Sequence, residues 1–152
     1  MAGVISHLPV RPRHCDAQAM MHAARYYEYF EDAFLDWLGA RGGYDRLREE
    51  GADLVVKASG CEHHAPARLG DVLAVESSPA RVGTTSITMT FTMRRADELV
   101  AVGTITYVCV RDGRAGPLPA MLTGPAWPPA ATAPGTPAPS TAAAPPPAPS
   151  RT

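Results

Sequence analysis

The feature that most constrains this chain is a change of period near its middle. From Ala23 the apolar residues recur at steps of three and four: Ala23, Tyr26, Tyr27, Phe30, Ala33, Phe34, Trp37 and Leu38. That spacing lines one wide face of an α-helix. Glu28, Glu31, Asp32 and Asp36 fall mostly off this face. Gly39 and then Gly42-Gly43 supply stop signals, which gives a helix of about 16 residues, roughly 24 Å long. A second short helix is expected over residues 44–50, ending at Gly51. Beyond it the period is two. Residues 53–64, 71–82, 84–95 and 98–112 read as four strands. The third alternates most cleanly, with Ile87, Met89, Phe91 and Met93 set against Ser86, Thr88, Thr90 and Thr92.

Residues 4–14 read as an irregular first strand at a sheet edge, because Pro9 and Pro12 remove ladder donors. The turns at Arg68-Leu69-Gly70-Asp71, Gly83 and Ala96-Asp97 are short, and such connections join antiparallel neighbours. One helix must then bury its stripe on one face of a five-stranded antiparallel sheet, an α+β architecture. The strand at 98–112 is apolar in both registers: Leu99, Ala101, Ile105 and Tyr107 on one side, Val100, Val102, Val108 and Val110 on the other. In a protein with one long helix, that predicts a second subunit over the other face.

Composition sets the boundaries. Ten of the 16 prolines and nine alanines fall in residues 123–152. Such a segment cannot bury enough surface to order itself, so residues 1–122 are expected to form one domain and 123–152 a disordered Pro/Ala-rich tail. The net charge is -1, which offers no basic field for nucleic acid. No apolar run reaches the ~20 residues of a membrane span. No leader is expected at Met1–Cys15, which lacks a basic stretch followed by an apolar one. Cys15, Cys61 and Cys109 are odd in number and widely spaced, so free thiols in a reducing cytoplasm are expected.

The chemistry points to residues 14–26. Asp16 stands in a loop about six residues ahead of the helix. Folded back, its carboxylate would lie beside free N–H groups and the positive end of the helix dipole. A carbonyl held between them would be polarised on one side and attacked from the other, a minimal acyl-transfer site. The competing reading is that Asp16 caps its own turn. His63 and His64, near Cys61 and Glu62, hint at metal ligation, but adjacent strand residues point to opposite faces. Arg68 has two readings, a salt bridge to Asp71 or a phosphate contact. Ser86 and Cys61 lack a base at recognisable spacing.

The same stretch resembles the entry motif of hotdog-fold thioesterases of the 4-hydroxybenzoyl-CoA thioesterase type. Asp16-Ala17-Gln18-Ala19 and Tyr26-Tyr27-Glu28-Tyr29-Phe30-Glu31 fit its frame without gaps. Ala65-Pro66-Ala67-Arg68-Leu69-Gly70-Asp71 resembles its Pro-Ala-Arg-x-Gly-Asp turn, and Arg81-Val82-Gly83-Thr84-Thr85-Ser86 its Val-Gly-x-Ser-Ser turn. The likeness spans residues 5–120. It implies a hotdog fold, a long central helix packed on the sheet. It implies that Asp16 is catalytic, as nucleophile or as base for water, and aspartates ordinarily ionise well below neutral pH. N–H groups around His22 and Ala23 would receive the thioester oxygen. Ala19, Met20, Tyr26, Tyr27, Phe30, His64 and Arg68 would meet substrate. His22 would orient Asp16, donate to the thioester oxygen or cap the helix. No metal or organic cofactor is implied. The substrate would be an acyl-CoA or acyl-carrier-protein thioester, its phosphates near basic residues such as Arg94, Arg95, Arg111 and Arg114. The site would form in a homodimer or homotetramer.

Two departures stand out. Ala19 replaces the family's glycine, and alanine tolerates positive φ poorly, which predicts a different loop path. His22 replaces a more usual Asn or Tyr. The resulting expectation is a thioesterase, either for short or aromatic acyl-CoA or for release of a polyketide or fatty-acyl chain. The alternative is a non-catalytic hotdog module that binds acyl thioesters or mediates oligomerisation. A hotdog hydratase would need a His/Asp or His/Glu dyad in a different loop.

Overall fold

The computed structural model describes residues 3–124. The expected tail therefore lies outside the described residues from 125 onward. Thr123, expected to begin it, instead closes a short helix.

The chain runs β1 (Val4–Pro9), α1 (Tyr26–Gly39), α2 (Gly43–Glu49), β2 (Asp53–His63), β3 (Val72–Val82), β4 (Ser86–Arg95), β5 (Glu98–Arg111), β6 (Arg114–Ala115) and α3 (Ala120–Thr123). One antiparallel sheet has the order β1-β3-β4-β5-β2. Its concave face holds α1, which is the hotdog arrangement. The sixth strand was not expected. Asp112 (φ 50) and Gly113 (φ 74) both adopt positive φ, the turn that folds a strand tightly back on itself, so β6 pairs with the end of β5.

The stripe on α1 closes the core. Tyr26, Tyr29, Phe30, Ala33, Phe34, Trp37 and Leu38 are buried, and fully burying each large apolar side chain stabilises the fold by about 1.5–3 kcal/mol. Phe30 stacks on Phe91 (ring centroids 5.4 Å apart) and Phe34 on Tyr107 (4.2 Å). The alternation in β4 holds: Ile87, Met89, Phe91 and Met93 are buried, and the threonines between them are half-buried on the other face. Tyr29 takes the buried place expected of Tyr27. Its hydroxyl donates to the Pro9 carbonyl at 2.7 Å, tying the helix to the end of β1. Residues 10–14 leave the ladder and form a single 3-10 turn at Pro12–His14, where Pro12 supplies a fixed φ and no donor.

One connection differs from expectation. Residues 64–71 do not join sheet neighbours, because β2 pairs with β5 while β3 lies between β1 and β4. Loop length limits how far a connection can reach but does not choose which strand it reaches. Here the chain crosses the end of β5, with the His64 and Ala65 amides both donating to the Val100 carbonyl (2.8 and 3.1 Å). That crossing builds one wall of the candidate site.

Candidate active site

Residues 14–22 form a small hairpin. The His22 amide donates to the His14 carbonyl (2.9 Å) and the Asp16 amide to the Met20 carbonyl (2.9 Å), with Cys15 bridged to Met21. Asp16 organises the tip. Its Oδ1 accepts the Gln18 amide at 2.8 Å and the Met20 amide at 3.2 Å, so the capping reading holds for one oxygen. Among the described residues Oδ2 has no hydrogen-bond partner. The side chain is exposed. Ala19 adopts φ 59, so alanine here takes the left-handed conformation that glycine favours, and the tight tip forms without a glycine.

The crossing connection is stitched to this hairpin through the backbone. Met21 donates to Ala67 (2.8 Å) and Leu69 to Ala19 (2.9 Å), and Met20 bridges Arg68. Ala19, Met20 and Arg68 are therefore brought together by their main chains. The Arg68 amide donates to Asp71 Oδ2 (2.8 Å). Arg95 holds the other flank, donating to Asp71 Oδ2 (2.5 Å), to the Pro66 carbonyl (3.0 Å) and to Glu98. Burial alone would raise the Asp71 pKa, but the Arg68 amide and the Arg95 guanidinium outweigh it and hold the carboxyl below its ordinary value.

A single 3-10 turn, Ala23–Arg25, leads into α1. His22 caps it, its Nδ1 accepting the Ala24 amide at 3.2 Å. The Nδ1 is thus unprotonated and the hydrogen of a neutral ring sits on Nε2. The Arg25 amide goes to the His22 carbonyl and the His22 amide to His14. Of the amides expected to face a thioester oxygen, that of His22 is therefore already engaged. The Ala23 amide is the one without a hydrogen-bond partner among the described residues.

Ala23 also lines a cavity of about 320 Å³ with Met21, Tyr26, His63, His64, Ala65 and Pro66. Burial raises the Tyr26 pKa, and its hydroxyl accepts the Ala67 amide at 3.3 Å. Its ring meets His63 edge-on at 4.6 Å. His64 Nε2 lies 3.6 Å from Glu62 Oε2. Both histidines border this cavity, against the expectation of opposite faces. The strand ends at His63, so the alternation rule stops there. His63, Ala65 and Pro66 were not expected at the site. Pro66 carried a usable signal, since a proline cannot continue the ladder and forces the chain to turn. Two expected residues lie elsewhere: Phe30 is fully buried in the core, and Tyr27 is half-buried against Phe30, ring centroids 5.9 Å apart. Asp16 is not among the cavity's lining residues. Among the described residues no group of three or more His, Cys, Asp or Glu side chains is placed to hold a metal ion. All three cysteines are free thiols.

Comparison with known proteins fits this geometry. The chain is 27% identical over 105 residues to the long-chain acyl-CoA thioesterase FadM of Escherichia coli, covering 68% of this chain and 80% of that protein. A hypothetical protein of Aquifex aeolicus superposes with a TM-score of 0.74 at 25% identity, over 79% of this chain and 96% of the other. A 1,4-dihydroxy-2-naphthoyl-CoA thioesterase from Synechocystis shares the fold, with a TM-score of 0.72 at 17% identity over 80% of this chain and 93% of its own. The model of one family, the thioesterase-like superfamily, matches residues 10–147. From the helix wrapped by its sheet to the aspartate loop ahead of that helix, the chain belongs to the thioesterase-like superfamily.

Proposed function

We propose that this protein hydrolyses acyl thioesters, of CoA or of an acyl carrier protein, to the free acid and thiol. One observation carries the reading: Asp16 fixes its loop with Oδ1 and leaves Oδ2 without a partner among the described residues. In this mechanism the thioester carbonyl lies against the open Ala23 N–H, which stabilises the oxyanion as it forms. Asp16 either takes a proton from the water that attacks the carbonyl carbon, or attacks that carbon itself to form an acyl-aspartyl anhydride, which water then cleaves to the free acid and the regenerated carboxylate. The thiolate leaves and is protonated. The acyl group occupies the cavity beneath Met21, Tyr26 and His64. Ala19 keeps the tight turn despite its methyl group, so it gives no support to a non-catalytic binding module.

The same reading includes a homodimer. Strand β2 has a free edge and its Val55 and Val56 are 49% and 54% exposed. On β5, Val102, Val108 and Val110 remain only half-buried. A second copy would cover this surface and complete the walls of the site. Release of a polyketide or fatty-acyl chain in a cytoplasmic pathway is compatible with this chemistry.

The test is thiol release from a panel of acyl-CoA and acyl-carrier-protein thioesters, wild type beside Asp16→Asn. Asparagine keeps an oxygen for both loop amides but cannot act as a carboxylate. A fall of about 100-fold or more in kcat is expected. Full activity in the variant would remove Asp16 from the chemistry.

A further inference from the structure

A second hollow, of about 310 Å³, lies on the other side of residues 21–26. Met21, Ala23 and Tyr26 line the acyl cavity. His22, Ala24 and Arg25 line this cleft, facing Arg13, His14 and Cys15. The two hollows share one wall.

Its chemistry is one-sided. Two guanidinium groups and two imidazoles border it and no carboxylate does, in a chain whose net charge is -1. Arg13 has no hydrogen-bond or ion-pair partner among the described residues. Arg25 pairs with Glu28 on the next turn at 2.5 Å, with side chains 45% and 49% exposed. Such an exposed pair contributes little and leaves the other guanidinium donors open. Both histidines have Nδ1 occupied from behind. His22 accepts the Ala24 amide; His14 accepts the Arg11 amide at 3.0 Å, and the Tyr29 hydroxyl lies 2.8 Å from the same nitrogen. Each neutral ring therefore carries its hydrogen on Nε2. Burial and the neighbouring Arg13 lower the His14 pKa, with Glu28 and Asp32 opposing the shift. Glu28 and Asp32 face His14 from α1, in an adjoining hollow with Arg11. By contrast, two arginines that the sequence offered for phosphate are engaged within the fold: Arg95 with Asp71, Glu98 and Pro66, and Arg111 with the Glu50 and Pro117 carbonyls.

We propose that this cleft binds a phosphate group on the arm of the thioester substrate, with Arg13 and Arg25 supplying charge and His14 and His22 supplying N–H donors. Guanidinium groups suit phosphate because their planar donors match its oxygens. The inference rests on the hydrolase reading for its substrate. The phosphate is either that of coenzyme A or the phosphodiester of a carrier-bound phosphopantetheine.

The test compares one acyl group on coenzyme A, on a holo carrier protein and on N-acetylcysteamine, which has the thioester but no phosphate. The wild-type preference for the coenzyme A ester over the N-acetylcysteamine ester should fall by about tenfold or more in Arg13→Gln/Arg25→Gln, a factor worth about 1.4 kcal/mol. The change should appear in KM, and Arg13→Lys should recover part of it. A parallel loss on the carrier protein identifies the phosphodiester; loss on coenzyme A alone identifies the nucleotide phosphates. An unchanged preference in the double variant overturns the proposal. Binding is read separately by titrating wild-type protein with coenzyme A and following the His14 and His22 ring resonances. Shifts in both support the cleft even if no ester is hydrolysed, which would overturn only the hydrolase reading. Saturation without either shift refutes the cleft.

Discussion

Replacing Gly103 by alanine should force α1 away from the sheet. Gly103 sits on β5 beneath the Phe30 ring, and a Cβ built there would lie 2.4 Å from Phe30 Cε2, 2.6 Å from Cζ and 2.7 Å from Cδ2. Ordinary carbon contacts begin at about 3.5 Å, so ring or strand must move by roughly an ångström. The ring has no room to give. Phe30 is fully buried, stacked on Phe91 and met edge-on by Tyr27. Overpacking of a closed core costs about 1–3 kcal/mol, and the rigidity here places Gly103→Ala near the upper end. For a chain of this length that corresponds to a fall in Tm of roughly 5–10 °C. The assay is thermal and urea unfolding at one fixed protein concentration. Adding Phe30→Leu should recover space, so the double variant should be more stable than the sum of the two single changes by about 1 kcal/mol. A Gly103→Ala protein that melts like wild type would refute the packing argument, and so would strict additivity with Phe30→Leu.

Two further outcomes follow from the loops. Ala19→Gly should be stabilising by roughly 0.5 kcal/mol, because release of a left-handed alanine gains about 1–2 kcal/mol while the glycine's chain entropy costs about 0.5–1 kcal/mol; a clear loss in urea midpoint would contradict this. Asp71 ionises more readily folded than unfolded, so its stabilisation is present above the unfolded value of about 3.9 and is lost as pH falls through the lower folded value. Asp71→Asn should therefore weaken the protein at pH 7, with the gap to wild type closing in acid; a gap independent of pH would show that the carboxylate's charge does not matter.

The parts of this fold that sequence made legible are those where one face is dry and the other wet. Residues 86–93 alternate because Ile87, Met89, Phe91 and Met93 are buried in the core that α1 closes while Ser86, Thr88, Thr90 and Thr92 lie half-buried on the other face. The helix was legible for the same reason, but its apolar arc is wide enough to hold both Tyr27 and Tyr29. What selects Tyr29 is a phenol bonded to the Pro9 carbonyl, a distant partner that no local pattern contains. The place of residues 64–71 was hidden because a short connection does not declare which strand it reaches. Their crossing brings His63 and His64 to one cavity, where strand alternation would have separated them. In the loop, an aspartate beside backbone amides was readable as a cap. That one oxygen caps while the other stays open depends on the left-handed turn at Ala19, which an alanine does not advertise.

Residues 21–26 face two hollows from opposite sides, and this makes the segment a reading frame. Met21, Ala23 and Tyr26 turn one way, and His22, Ala24 and Arg25 the other. His22 is extended and Ala23–Arg25 form a 3-10 turn, in which each residue turns the chain by about 120°, so inserting or deleting one residue ahead of Tyr26 would present basic side chains to the apolar cavity and apolar ones to the basic cleft. Substitutions here can be absorbed one at a time. A change of length cannot, because it displaces every side chain of both walls at once. Divergence of this protein's relatives through this stretch should therefore proceed by exchange of side chains at fixed spacing, with length variation confined to the loops outside it.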